Sequence, residues 1–352
     1  MRRIAAVASV VALLGCQSGP SVEPAKPEFE ACDDAEALAA YQHARALVGQ
    51  RRFLPAVPLL RRVVEACPEF VPGHVLYQDA AMEVGVEIEA SMRGYYSSLP
   101  DDGRSPIVPY VRSRLTEEPS EKIPELDEAI ARDRSFHLAY LDKAIALRAI
   151  GRTSEALDML QHAVAAQPTC AAANKELAEV LAGLGRAEEA ASRYAAYLAL
   201  EPNDLPAKRA YVRLLVYSLG RLDQAEPWLA DMLANDPNDV EALMDRAAIA
   251  WQRRRFDEAS DHYHRVLAID PGNSRAVLNL GNLYFDGFGA AESARPEYWP
   301  KAQAAYRYFL TMTEARDLHD TLDLHVFVPS RLERIARDVG PAPDQKPRLE
   351  DF

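Results

Sequence analysis

An all-α solenoid of stacked antiparallel helix pairs is the fold class this sequence predicts, and three sets of spacings predict it. Ala156, Ala190, Ala225 and Ala259 lie 34, 35 and 34 residues apart. Pro168, Pro202, Pro237 and Pro271 keep the same steps, and Gly151, Gly185 and Gly220 keep the first two. A period of this length marks helix–turn–helix units that cannot bury their apolar faces alone and must stack on neighbours. Such chains present extended binding surfaces rather than catalytic pockets.

The chain opens with Arg2 and Arg3, then an apolar run from Ile4 to Leu14 that is too short to span a bilayer as an ordinary helix. The run ends in Leu13-Leu14-Gly15-Cys16, which resembles a bacterial lipobox. The resemblance implies that residues 1–15 are a signal peptide and that Cys16 carries lipid at the mature N-terminus. A plain secretory signal, or an inner-membrane anchor left uncut, is the alternative. Gln17 rather than Asp follows the cysteine. Under enterobacteria-like sorting that residue implies an outer-membrane lipoprotein facing the periplasm. Residues 16–33 hold Pro20, Pro24 and Pro27 among small and charged residues, the composition of a flexible linker.

Composition fits a tethered body. With 352 residues, 49% of them apolar, the chain can bury a large core, and no second apolar run is long enough to cross a membrane. The net charge is −13; without Arg2 and Arg3, 38 basic residues face 53 acidic ones. A nucleic-acid partner would want a basic stripe and is excluded. Membrane attachment falls to the lipid rather than to charge.

The first repeat spans residues 37–70, with Ala44, Phe53, Ala56, Leu60 and Pro68 in phase. Cys32 precedes its first helix and Cys67 ends its second, positions that are neighbours in an antiparallel hairpin. They are a disulfide or two buried thiols. Cys170, in an inter-unit turn, has no obvious mate. Residues 71–136 hold two degenerate units. One ends in a turn-rich stretch from Gly94 to Gly103, and the other carries Pro106, Pro109, Pro119 and Pro124, which shorten or kink helices. The stretch is decayed repeat or functional loop.

From residue 137 the pattern is clear. In His137–Cys170, helix A carries Tyr140, Ala144 and Leu147, Gly151 makes the turn, and helix B presents Ala156, Leu160 and Ala163 before Pro168. Ala171–Leu205 and Val240–Asn273 repeat the scheme. In Pro206–Asp239, helix A has gained one residue. This small–large–small–Pro pattern resembles the tetratricopeptide repeat, most strongly over residues 137 to 284. The resemblance implies a right-handed superhelical solenoid over residues 34–339, of about eight units with a C-terminal capping helix. The last unit carries an insertion at 286–299, resumes near Pro300, and is followed by a cap near Pro329 to Val339. Residues 340–352 read as a disordered tail.

No catalytic signature, metal-ligand spacing or cofactor motif is present, so neither an enzyme nor a cofactor is expected. His262 and His264 are two apart and point in different directions on a helix, as expected of solvated surface histidines. His319 and His325 also lack ligand spacing. By resemblance, partners are proteins or peptide segments held on the exposed face of each helix A. Mapped by register, that face takes Leu138, Leu141, Ile145, Arg148, Lys175, Glu179, Met244 and Leu278. Its anchors are Arg209, Arg213, Tyr217, Trp251, Asn282 and Phe285, the side-chain types that dominate interface energies. Packing of Trp251 and Phe285 between units is the alternative. Two functions follow: a lipid-anchored periplasmic scaffold or adaptor for an envelope complex, or a ligand- or glycan-binding receptor using the aromatic C-terminal groove.

Overall fold

The computed structural model describes residues 32–288, 298–314, 322–340 and 346–352. The expected signal peptide, Cys16, most of the linker, most of the 286–299 insertion and His319 lie outside the described residues, as does the side chain of His325. Among the described residues the fold is all-α, as predicted, and no helix is long and apolar enough to cross a membrane. The chain divides into two compact units, the first ending at Asp204 and the second beginning at Leu205.

In the first unit, α1 (Ala35–Gly49) pairs with α2 (Phe53–Ala66). Asp34 caps α1 by accepting from the backbone N–H groups of Glu36 at 2.9 Å and Ala37 at 3.0 Å. A disulfide joins Cys32 to Cys67 across a Cα separation of 5.7 Å, fastening the start of α1 to the end of α2. Cys170, which spacing left without an obvious mate, is buried.

The degenerate stretch forms α3 (Val71–Val84), α4 (Val86–Ser98), α5 (Ile107–Ser113) and α6 (Pro119–Arg132). As the prolines foretold, α5 is short, with seven residues. The expected turn shrinks, because residues 94–98 complete α4. What remains is pinned. Arg132 grips Asp101 with contacts of 2.6 and 2.9 Å and donates to the Ser105 carbonyl at 2.8 Å. That guanidinium holds the Asp101 carboxyl down at about 2. Helix α3 packs against α1, α2, α4 and α5 and is buried from Val71 to Ala81.

Regular pairs follow: α7 (His137–Ala149) with α8 (Thr153–Ala166), and α9 (Ala171–Gly183) with α10 (Ala187–Leu200). Ala144, Ala156, Ala163, Ala178 and Ala190 have no exposed surface, so small side chains do sit where paired helices meet. Gly151 and Gly185 take φ of +80° and +74° at the A–B turns, a left-handed backbone that glycine adopts without strain.

The second unit comprises α11 (Leu205–Arg213), α12 (Leu222–Asn235), α13 (Val240–Gln252), α14 (Phe256–Ile269), α15 (Ser274–Asn282), α16 (Trp299–Glu314) and α17 (Leu322–Val339). The extra residue of its first helix A becomes a π-helical turn, Leu214–Ser218, continuing α11. A second π turn, Leu283–Phe288, continues α15. Gly281 lets α15 and α16 meet closely: a Cβ there would stand 2.9 Å from the Tyr306 ring. The cap α17 is longer than expected and contains Pro329 rather than starting at it. The tail also differs from expectation. Residues 349–351 form a 3₁₀ turn, and Phe352 is buried with its ring 5.6 Å from that of Tyr308. Apolar burial holds these last four residues in place, although their composition reads as disordered.

Candidate functional site: the exposed faces of helices A

In the first unit, Leu138 and Leu141 are core rather than surface, each 1% exposed, whereas Ile145 is exposed. The charged residues of the row pair with one another. Arg148 meets Glu176 and lies 3.6 Å from Glu179, and Lys175 Nζ is 2.6 Å from Asp204, which also accepts from Tyr197 Oη at 2.5 Å. Both cations of this row are thus taken up by carboxylates, which outnumber them by one.

In the second unit, Arg209 Nη2 donates to Asp239 at 2.9 Å. The Asp239 carboxylate also accepts from the backbone N–H of Ala242 and so caps α13. Arg213 is exposed and makes no ion pair among the described residues. Tyr217 is 57% exposed, and its hydroxyl donates to Asp245 Oδ1 at 2.9 Å. Asp245 is almost fully buried, which pushes its carboxyl up to about 6 against the pull of the Tyr217 hydrogen bond.

The rest of the expected row does not assemble on the surface. Met244 is buried, and Trp251 and Leu278 are half-buried against the apolar core. Asn282 is engaged by Tyr306, whose hydroxyl donates to it at 2.8 Å. Phe285, expected as an exposed anchor, is 6% exposed. The guanidinium groups of Arg331 and Arg334 lie 4.8 and 5.3 Å from its ring, and Trp299 and Tyr306 flank it. Side chains of α16 and α17 thus cover this ring. His262 and His264 are also not solvated as expected. Both are half-buried, and His264 Nε2 lies 3.0 Å from Tyr284 Oη.

Arg213 and Tyr217 thus remain the exposed anchors, with Asp239, Asp245 and Arg275 as neighbours that register alone did not single out. One sign of them was legible: the 35-residue step that betrays the inserted residue.

The sequence matches two models of the tetratricopeptide repeat, one over residues 147–214 and one over 214–274 and 244–308. No curated protein matches it in sequence. Solved structures similar to it include YrrB, described as a TPR protein with an unusual peptide-binding site. That likeness has 21% identity and a TM-score of 0.42, covering 55% of this chain and 98% of YrrB. Another is PilW, a type IV pilus biogenesis factor, at 19% identity and a TM-score of 0.43, covering 59% of this chain and 97% of PilW. A third is pilF of Pseudomonas aeruginosa, at 16% and 0.41, covering 68% and 93%. The repeat models agree with the helix pairs and their small-residue contacts. Residues 147–308 of the chain are thus repeats of the tetratricopeptide family.

Proposed function

We propose that this protein is a membrane-anchored periplasmic scaffold or adaptor that binds protein partners through helices A of its second unit and aids assembly of an envelope complex. Proteins of this family bind protein or peptide partners, and the fold supports an interaction scaffold. The observation that carries the reading is the Arg213–Tyr217 pair. Exposed arginine and tyrosine are the side chains in which interface energy concentrates, and here they stand one turn apart on a face free of catalytic groups. The lipobox-like Leu13-Leu14-Gly15-Cys16 supports attachment by acylation of Cys16, and Gln17 supports the outer membrane. The glycan-receptor alternative loses its support, since Phe285 is buried and Trp251 packs on the core.

Capture from detergent-solubilised membranes tests the interface. The pair Arg213→Ala with Tyr217→Ala should lose the partner that the wild type retains, while helical content and melting temperature stay close to wild type. Losing one such anchor costs about 2 kcal/mol or more of binding. Undiminished capture would place the interface elsewhere. Anchoring is tested in the same preparations: Cys16→Ala should leave the membrane pellet, and mass spectrometry of the wild type should find lipid on Cys16. Cys16 recovered in a disulfide, or in an uncleaved chain, overturns the lipoprotein reading.

A further inference from the structure

The charges along helices A of the second unit are matched in part, and among the described residues Arg213 and Arg246 make no ion pair. Arg209 holds Asp239 at 2.9 Å and Arg275 lies 3.6 Å from Glu241. Arg213 is unmatched, and Tyr217, four residues on, gives its hydroxyl to Asp245. The inserted residue sets this geometry. In a regular α-helix two successive steps of four residues drift by about 80° around the axis. The wider π turn at Leu214–Ser218 takes up part of that drift and keeps Tyr217 near the face of Arg209 and Arg213. π turns of this kind are frequent at functional sites.

Asp245 faces charge from each neighbour. Tyr217 and Arg213 reach it from α11 and its π turn, Arg275 from α15, and Glu241 from one turn back on its own helix. From α14, Tyr263 acts on Tyr217. On α12, Asp223 and Glu226 are taken up by Arg253.

Resting on the scaffold reading of this face, we propose that Arg213 and Tyr217 form a binding site for a carboxylate of an acidic peptide segment, and that Asp245 is an internal carboxylate occupying its donors until protonated. While ionised, Asp245 accepts the Tyr217 O–H and offsets the charge of Arg213, so an incoming carboxylate meets a neutralised site. Once Asp245 takes a proton, the local charge of Arg213, Arg275, Glu241 and Asp245 rises from zero to +1. Tyr217 can then turn its O–H to the incoming carboxylate beside Arg213. Burial brings this step into the mildly acidic range, near pH 6.

The test is fluorescence anisotropy of labelled hexaglutamate with the full chain in detergent, at pH 5.5 and 7.5 and constant low ionic strength. The wild type should bind at least about threefold more tightly at pH 5.5, a factor worth roughly 0.6 kcal/mol. Hexaglutamate is itself slightly less ionised at pH 5.5, so a gain there comes from the protein. Asp245→Asn should bind with the tighter affinity at both pH values. Tyr217→Phe should lose the acid-side gain, and Arg213→Ala should lose binding at both, each with an unchanged helical spectrum. Equal wild-type affinity at the two pH values, or a pH step that survives in Asp245→Asn, overturns the gating. Absence of binding at either pH overturns the carboxylate site itself. The scaffold reading stands or falls separately, on partner capture.

Discussion

Arg114 sits at the centre of the most heavily buried polar network of the first unit. Its guanidinium lies 3.1 Å from Asp79 Oδ1, 3.1 Å from Gln78 Oε1 and 3.7 Å from Asp142. Gln78 also donates to the Val111 carbonyl at 2.8 Å, while Asp79 Oδ2 has no hydrogen-bond partner. Arg114 therefore serves the buried Asp79 and the half-buried Asp142, the latter also under the field of Lys122. Burial pushes Asp79 up to about 6 and raises Asp142 as well, in both cases against the field of Arg114. A carboxyl raised above its unfolded value of 3.8 favours folding fully below that value and loses the contribution as pH climbs through 6. His74 works the other way. Its Nε2 lies 2.8 Å from the Pro68 carbonyl, and burial lowers it to about 4, so its contribution is present above 6.5 and lost as pH falls through 4. Removing the cation leaves the buried Asp79 carboxylate unbalanced, and breaking such a buried pair costs about 3–5 kcal/mol. Arg114→Met should thus be strongly destabilised in urea at pH 7, and its deficit against the wild type should shrink at pH 5 as the carboxyls take protons. A deficit that is equal or larger at pH 5 would show that the carboxyls are not what Arg114 balances.

Among the elements, the A–B turn imposes the strictest local demand. Gly151, Gly185 and Gly220 all take positive φ there, and at the same register Arg51 and Arg254 are held at φ of 58° and 59°. These two arginines are the positive-φ residues other than glycine among the described residues. The turn needs a left-handed residue, and the first repeat and the repeat at Val240–Asn273 meet the need without glycine. An L-residue pays about 1 kcal/mol or more for that backbone, partly offset by glycine's greater freedom in the unfolded chain. Arg254→Gly should therefore raise stability in urea by roughly 0.5–1 kcal/mol, and Gly185→Ala should lower it by a similar amount. If both substitutions shift the midpoint in the same direction, turn strain does not control these positions. The π turn at Leu214–Ser218 is the complementary case: an element absorbs an extra residue by widening, and the repeat beyond it stays in phase.

At the scale of the whole molecule, a repeat stack must finish at both ends without exposing apolar faces. The C-terminal end is closed by α17 and by the docked tail, with Val328, Ile335 and Phe352 joining the core of the second unit. At the other end the Cys32–Cys67 bridge closes a loop with a sequence separation of 35 residues around α1 and α2. A disulfide over such a loop stabilises by about 2–4 kcal/mol, mainly by limiting the unfolded chain. Cys32→Ser with Cys67→Ser should lower the urea midpoint of the first unit, followed through limited proteolysis near residues 50–70, and leave the second unit unchanged. Equal resistance of the double mutant and the oxidised wild type would show that the bridge adds nothing.

Periodicity alone determined the all-α repeat class, the helix pairs from His137 onward, the small-residue contacts at Ala144, Ala156 and Ala190, and the inserted residue before Gly220. Those features are local or recur with the period, and a one-dimensional pattern records them. Whether a register position faces solvent or a neighbour was decided only by tertiary packing. Leu138, Leu141, Met244 and Phe285 share the register of Ile145 and Arg213, yet they are buried because other helices pass over them. The partnering of charges is likewise a long-range fact. Asp245 meets Tyr217 across 28 residues and Arg114 meets Asp79 across 35. The tail escaped prediction for the same reason: its charge and prolines read as disorder, but a single buried Phe352 on Tyr308 orders its end. Burial depends on what the rest of the chain brings to a side chain, and no local pattern carries that information.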